Sequence, residues 1–128
     1  MRARPWWAWA LIPMLLLTLA GGALSVMGRL DVSRLLFPGA DKVLHFVLYG
    51  GVAFGAVGWL VRWRGRAVMG LLVLLALTDE VSQAWFPNRT VDALDAACSI
   101  AGIVVLGVLA RALRGPRLSI APARLGAS

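Results

Sequence analysis

Asp41, His45 and Tyr49 stand four residues apart, a spacing that lines an acid, an imidazole and a phenol along one helical face. Such a stripe can relay protons or hold a polar ligand. Further along, Thr78, Asp79, Glu80, Ser82 and Gln83 interrupt the apolar run AVMGLLVLLALTDEVSQAWF. Glu80 and Gln83 share a face at three apart, and Asp79 and Gln83 pair at four. Glu80 falls about 9 Å short of a helix end at Phe86, inside a hydrocarbon margin. Desolvation at that depth favours the neutral acid, which makes Glu80 the group whose protonation would matter most. A structural hydrogen bond from Glu80 to a neighbouring helix accounts for it equally well.

Other polar residues have two readings each. Asp41 follows Pro38 and Gly39, so it is either the N-cap of the next helix, satisfying donors at 43 or 44, or a member of the stripe. Pro87, Asn88 and Arg89 make a tight turn. Arg89 there either compensates the negative end of the preceding helix or clamps a phosphate or carboxylate bidentately. Thr90 or Asp92 can cap the helix that follows; Asp95, three residues after Asp92, suggests a capping box or a site acid.

The elements that must position these residues are membrane spans. The chain has 128 residues, is 60% hydrophobic and has a mean hydropathy of +0.81, more than a soluble domain of this size can bury. A span needs about 20 mostly apolar residues. Four stretches qualify: roughly 6–27, 43–61, 67–86 and 93–113. The expected fold is therefore all-α, a polytopic four-transmembrane-helix bundle formed by residues 1–113, with 114–128 as a loose tail. A net charge of +7 would suit a nucleic-acid partner, but most arginines flank apolar stretches, so the charge reports orientation and no nucleic acid is expected. Arg2, Arg4, Arg62, Arg64, Arg66, Arg111, Arg114, Arg117 and Arg124 collect at one side, and all six acids at the other. Both termini then lie in the cytoplasm. Tryptophans 6, 7, 9, 59, 63 and 85 all fall near span ends, as interfacial anchors do. The first stretch also has the design of a cleaved signal peptide, although its length and tryptophans favour a retained span. Cys98 is the one cysteine, so no internal disulfide forms, and a small buried helix residue is its expected role.

Helix association in lipid relies on close backbone approach. Gly51 and Gly55 of the second helix, with Gly50 and Gly58 nearby, are expected to pack on Ala97, Ala101, Cys98 and Gly102 of the fourth.

Taken in order, DKVLHFVLYG, DEVSQAWFPNR, an Asp six residues after that Arg, and then Gly102 resemble the VanZ-like family of small bacterial membrane proteins over roughly residues 41 to 107. The resemblance implies a compact helical protein of the bacterial inner membrane whose named relative is associated with low-level teicoplanin resistance. By matching positions, Asp41, Lys42, His45, Tyr49, Asp79, Glu80, Gln83, Arg89 and Asp95 are the family's polar residues. Ser99 stands where the pattern usually has Asn; it can still hydrogen-bond, but an amide bridge between two helices is lost.

The leading functional expectation is an outer-leaflet polar pocket, built by those residues and Ser99, that binds a cell-envelope component such as a lipid-linked phosphate or peptidoglycan precursor. Lys42 and Arg89 are its donors, and two helix N-termini point at it. Its acids leave room for a sugar, amine or peptide headgroup. Membrane lipids are the other expected partners. An alternative is an enzyme acting on a lipid headgroup, with Glu80 as general acid or base, His45 as proton relay and Asp95 beside them. No Walker loop, HExxH or GxSxG motif supports it, and no cofactor is expected. Metal binding by Asp41, His45, Glu80 and Asp95 is a weaker variant, so no metal is expected either. The remaining alternative is a scaffold whose polar residues only knit its helices together. Ion transport is disfavoured because no polar path continues through LLVLLAL.

Overall fold

A computed structural model describes residues 5–27, 36–60, 65–86 and 90–114. A 3-10 helix, Trp6–Ala10, leads into α1, Leu11–Val26. Pro13 has no N–H to give and its ring crowds the carbonyl four residues back, which fits a change of helix type just before it. The other helices are α2 (Ala40–Trp59), α3 (Gly65–Ser82) with a closing 3-10 turn Gln83–Trp85, and α4 (Ala93–Leu113). Among the described residues there is no strand. Four candidate spans of 20 or 21 residues result, each about 30 Å long and long enough to cross a hydrocarbon core. Their outer faces carry exposed leucine and valine, including Leu15, Leu16 and Leu19 of α1 and Val104, Val105 and Val108 of α4.

The start of α2 is set by a turn. Ala40 donates its N–H to Phe37 O at 3.0 Å, and Gly39 has φ 86 and ψ 5, the third-position geometry of a type II turn with Pro38 ahead of it. A residue with a Cβ is strained in that left-handed conformation, so glycine fits there. Gly39 is thus the N-cap, and the expected start at 43 moves back to Ala40.

α2 and α4 run parallel and form the closest pair. His45 lies against Ser99, Gly50 against Gly102 and Leu106, and Gly58 against Arg114. A Cβ on Gly102 would run into the Phe46 carbonyl oxygen; one on Gly50 would come within 2.8 Å of Gly102 O. α3 returns antiparallel beside both, and Ala53, Ala76 and Ile103 from α2, α3 and α4 make a core packed by Tyr49, Met69, Leu72 and Val73. α1 touches α2 alone among the helices.

The expected packing is therefore corrected in part. The second and fourth helices do pack through glycine, but through Gly50 and Gly102. Gly51 and Gly55 face Met14 and Leu11 of the first helix, and Gly58 faces Trp7 and Ala8. Ala97 and Ala101 are exposed and Cys98 is half-buried. The reason is angular: Gly51, Gly55 and Gly58 lie on one helical stripe, while Gly50 is turned about 100° away from Gly51.

Candidate functional site

The type II turn releases Asp41 and Lys42 at the first turn of α2, next to the first turn of the parallel helix α4. Lys42 is the chain's one lysine. Its ammonium donates to Asp92 Oδ2 at 2.8 Å, Asp95 Oδ1 at 3.0 Å and Asp41 Oδ2 at 3.2 Å. An ammonium has three protons, so this arrangement uses them all. One ammonium faces three carboxyl groups, so acids outnumber the base within the group. Asp41 does not cap its helix: Oδ2 faces Lys42, and Oδ1 is a buried atom without a hydrogen-bond partner among the described residues.

Asp92 is the N-cap of α4 and accepts the Leu94 N–H at 2.8 Å. The Lys42 ammonium, and after it that N–H, hold the Asp92 carboxyl below the usual carboxylate range. A capping box would bring the Asp95 side chain back to the Asp92 N–H. Here that N–H is taken instead by Glu80 Oε1 of α3, at 2.6 Å. Glu80 caps α4 from another helix and leaves Asp95 free for Lys42. Its second oxygen accepts Gln83 Nε2 at 3.0 Å. Glu80 and Gln83 are buried, 4% and 3% exposed, so their hydrogen bond lies away from solvent.

One turn below Lys42, His45 Nδ1 lies 3.0 Å from Ser99 Oγ, and Nε2 lies 3.8 Å from Asp95 Oδ2. With the proton on Nε2 facing the carboxylate, Nδ1 accepts the Ser99 hydroxyl. Ser99 thus does bridge two helices. The imidazole stacks on Tyr49 with centroids 6.0 Å apart and planes 14° from parallel. Tyr49 O–H donates to Asp79 Oδ2 at 2.8 Å, tying α2 to α3. Asp79 is exposed and does not pair with Gln83, contrary to the spacing argument; Gln83 goes to Glu80 because that acid lies on the buried side of α3.

Asp41, Lys42, His45, Tyr49, Asp79, Glu80, Gln83, Asp95 and Ser99 therefore converge at one end of α2, α3 and α4. Arg89 lies outside the described residues, as do Asp31 and nearly all of the tail expected over 114–128. Asp92, read from the sequence only as a cap, is a fifth acid of the group. The hint was its position three residues before Asp95, which puts both carboxylates on one side of a first turn. Among the described residues no three His, Cys, Asp or Glu are grouped as a metal ion would need.

The sequence pattern of the VanZ/LLP1 family matches residues 4–114, all four helices included. The chain belongs to the VanZ/LLP1 family. Among curated proteins and among solved structures none matches. The VanZ/LLP1 match extends the resemblance of residues 41–107 backward over α1, so the helix that touches α2 alone is part of the family's unit. Within this VanZ/LLP1 chain the polar residues divide by exposure. Asp95, Ser99, Glu80 and Gln83 form a buried floor joining the helices. Asp41, Lys42 and Asp92 form a half-exposed rim above it.

Proposed function

We propose that this end of the bundle binds the polar headgroup of a cell-envelope component, a lipid-linked phosphate or peptidoglycan precursor, at the outer leaflet of the bacterial inner membrane. The protein would cross that membrane four times with both termini in the cytoplasm. The observation that carries this reading is the half-exposed rim of Asp41, Lys42 and Asp92, standing on a floor that is already hydrogen-bonded. A rim with two carboxyl groups to one ammonium favours the amine, sugar or peptide part of such a molecule. Its phosphate would fall to Arg89, whose guanidinium suits that anion. Family membership makes tolerance of lipoglycopeptide antibiotics a fitting phenotype.

Asp41 is the rim residue on which the network depends least, through one 3.2 Å contact. Mass spectrometry of lipids that copurify with the protein tests the reading. Wild type should retain one envelope-lipid headgroup class, and Asp41→Asn and Arg89→Ala should each lose it about tenfold, equivalent to about 1.4 kcal/mol. Their unfolding midpoints should stay at the wild-type value. Equal retention by all three proteins refutes the proposal.

A second reading, a scaffold with structural polar contacts, is favoured by the engagement of both Glu80 oxygens and both His45 nitrogens within the protein. Under it, losses of antibiotic tolerance in His45 and Glu80 variants would track lost stability in proportion. Under ligand binding, the rim variants would lose function with stability intact.

A further inference from the structure

At the opposite end of the bundle, α3 begins and α2 and α4 finish. Arg66 and Arg111 are exposed there, and Arg114 is half-buried. The Arg114 guanidinium donates to Gly58 O, which fixes it across the ends of α2 and α4. The Arg111 side chain crosses to the first residue of α3: a Cβ on Gly65 would lie 3.4 Å from its Cδ and 3.8 Å from its Nε. Arg66 is the next residue along. Among the described residues, every carboxylate belongs to the other end, and neither Arg66 nor Arg111 has an acidic partner. Arg62, Arg64 and Arg117 adjoin the same helix ends in the sequence, again with no acid among them.

Aromatic residues surround this end. Trp9 meets Trp59 edge-on with centroids 5.0 Å apart, and Trp7 packs on Phe54 at 4.8 Å. Trp6 and Trp9 are 85% and 54% exposed. Exposed indole rings of this kind settle at headgroup level, which puts the guanidinium groups at the depth of lipid phosphates. Below Arg111 on the same face of α4 are Val108 and Val104, and two turns below Arg66 on α3 is Leu74, all exposed.

From this arrangement we infer that the notch between the start of α3 and the end of α4 is a binding site for an anionic glycerophospholipid. Its phosphate is held by Arg66 and Arg111, and its acyl chains run down the apolar faces beneath them. Arg66 and Arg111 stand on adjoining helix ends with no carboxylate beside them among the described residues, so a phosphate there meets two cationic donors and no competing acid. A zwitterionic lipid brings its own ammonium to the same place and gains less.

The test is native mass spectrometry of the full chain extracted from vesicles of mixed phosphatidylglycerol and phosphatidylcholine. Wild type should retain phosphatidylglycerol over phosphatidylcholine by about tenfold. The Arg66→Ala, Arg111→Ala double variant should fall to near parity, while Arg66→Lys, Arg111→Lys keeps part of the preference. Adding inorganic phosphate should leave wild-type retention unchanged, because the lipid tails contribute to binding; displacement by phosphate alone would show a simple anion site and overturn the lipid assignment. A preference that survives in the alanine variant also overturns it. If that variant does not fold, the salt dependence of wild type decides. Raising ionic strength should erode a preference built on exposed charges, and an undiminished preference refutes the site.

Discussion

Replacing Glu80 with alanine removes the acceptor that caps α4 from α3. Two partners lose their bonds: the Asp92 N–H, 2.6 Å from Oε1, and the buried Gln83 amide, 3.0 Å from Oε2. A hydrogen bond contributes about 0.5–1.5 kcal/mol net, and a stranded buried donor costs about 1–3 kcal/mol. Asp95 cannot step in as an ordinary capping-box residue, since Lys42 holds it at 3.0 Å. The expected loss for Glu80→Ala is therefore about 3 kcal/mol, a large share of the stability of a small domain. Glu80→Gln keeps an oxygen for the Asp92 N–H, and the Gln83 amide can turn to accept from the new NH2, so its loss should be about 1 kcal/mol. Reversible unfolding in mixed micelles measures both values, and hydrogen exchange at the Asp92 amide reports the cap directly. A Glu80→Ala protein within about 0.5 kcal/mol of wild type, or an Asp92 amide as protected as before, would show that Glu80 does not cap α4.

Two further outcomes follow from contacts described above. Gly102→Ala drives a methyl group into the Phe46 carbonyl and should cost about 2 kcal/mol or separate α2 from α4, whereas Gly70→Ala, with nothing within 4 Å, should cost nothing; the two unfolding midpoints checked side by side measure the difference. The Asp92 carboxyl titrates lower in the folded protein than in the unfolded chain, so its contribution to stability is complete above the ordinary carboxylate range and disappears as pH falls through the depressed value. Asp92→Asn should flatten that acid limb of the stability curve while leaving the Leu94 cap in place, and an unchanged limb would show that Lys42 does not set the Asp92 titration.

How far the molecule could be read from its residues differs between helices and their contacts. Four spans were legible because each is an apolar run of the right length, and even the polar third one ends within a few residues of expectation. The apolar run marks a span from 43, whereas α2 starts three residues earlier at Ala40, because the Pro38-Gly39 turn and not the onset of hydrophobicity sets its beginning. The stripe Asp41, His45 and Tyr49 was legible from helical spacing alone. Its partners were not. Spacing along one helix says which residues share a face, but Lys42 finds Asp95 across 53 positions of chain, and Glu80 reaches a backbone N–H that no residue type advertises. The glycines show the same limit. Four of them in α2 announced close packing, and only the structure assigns Gly50 to one neighbour and the other three to a different one.

The parallel pairing of α2 with α4 has a consequence for how the protein is made. α1 and α2 can join through their glycine contacts as soon as both have left the ribosome, whereas Lys42 then has, of its three carboxylate partners among the described residues, only Asp41. Asp92 and Asp95 emerge only with the final helix. The ammonium therefore waits through the synthesis of α3 with one of its three partners in place, and the arrival of α4 completes the charged group in a single late step.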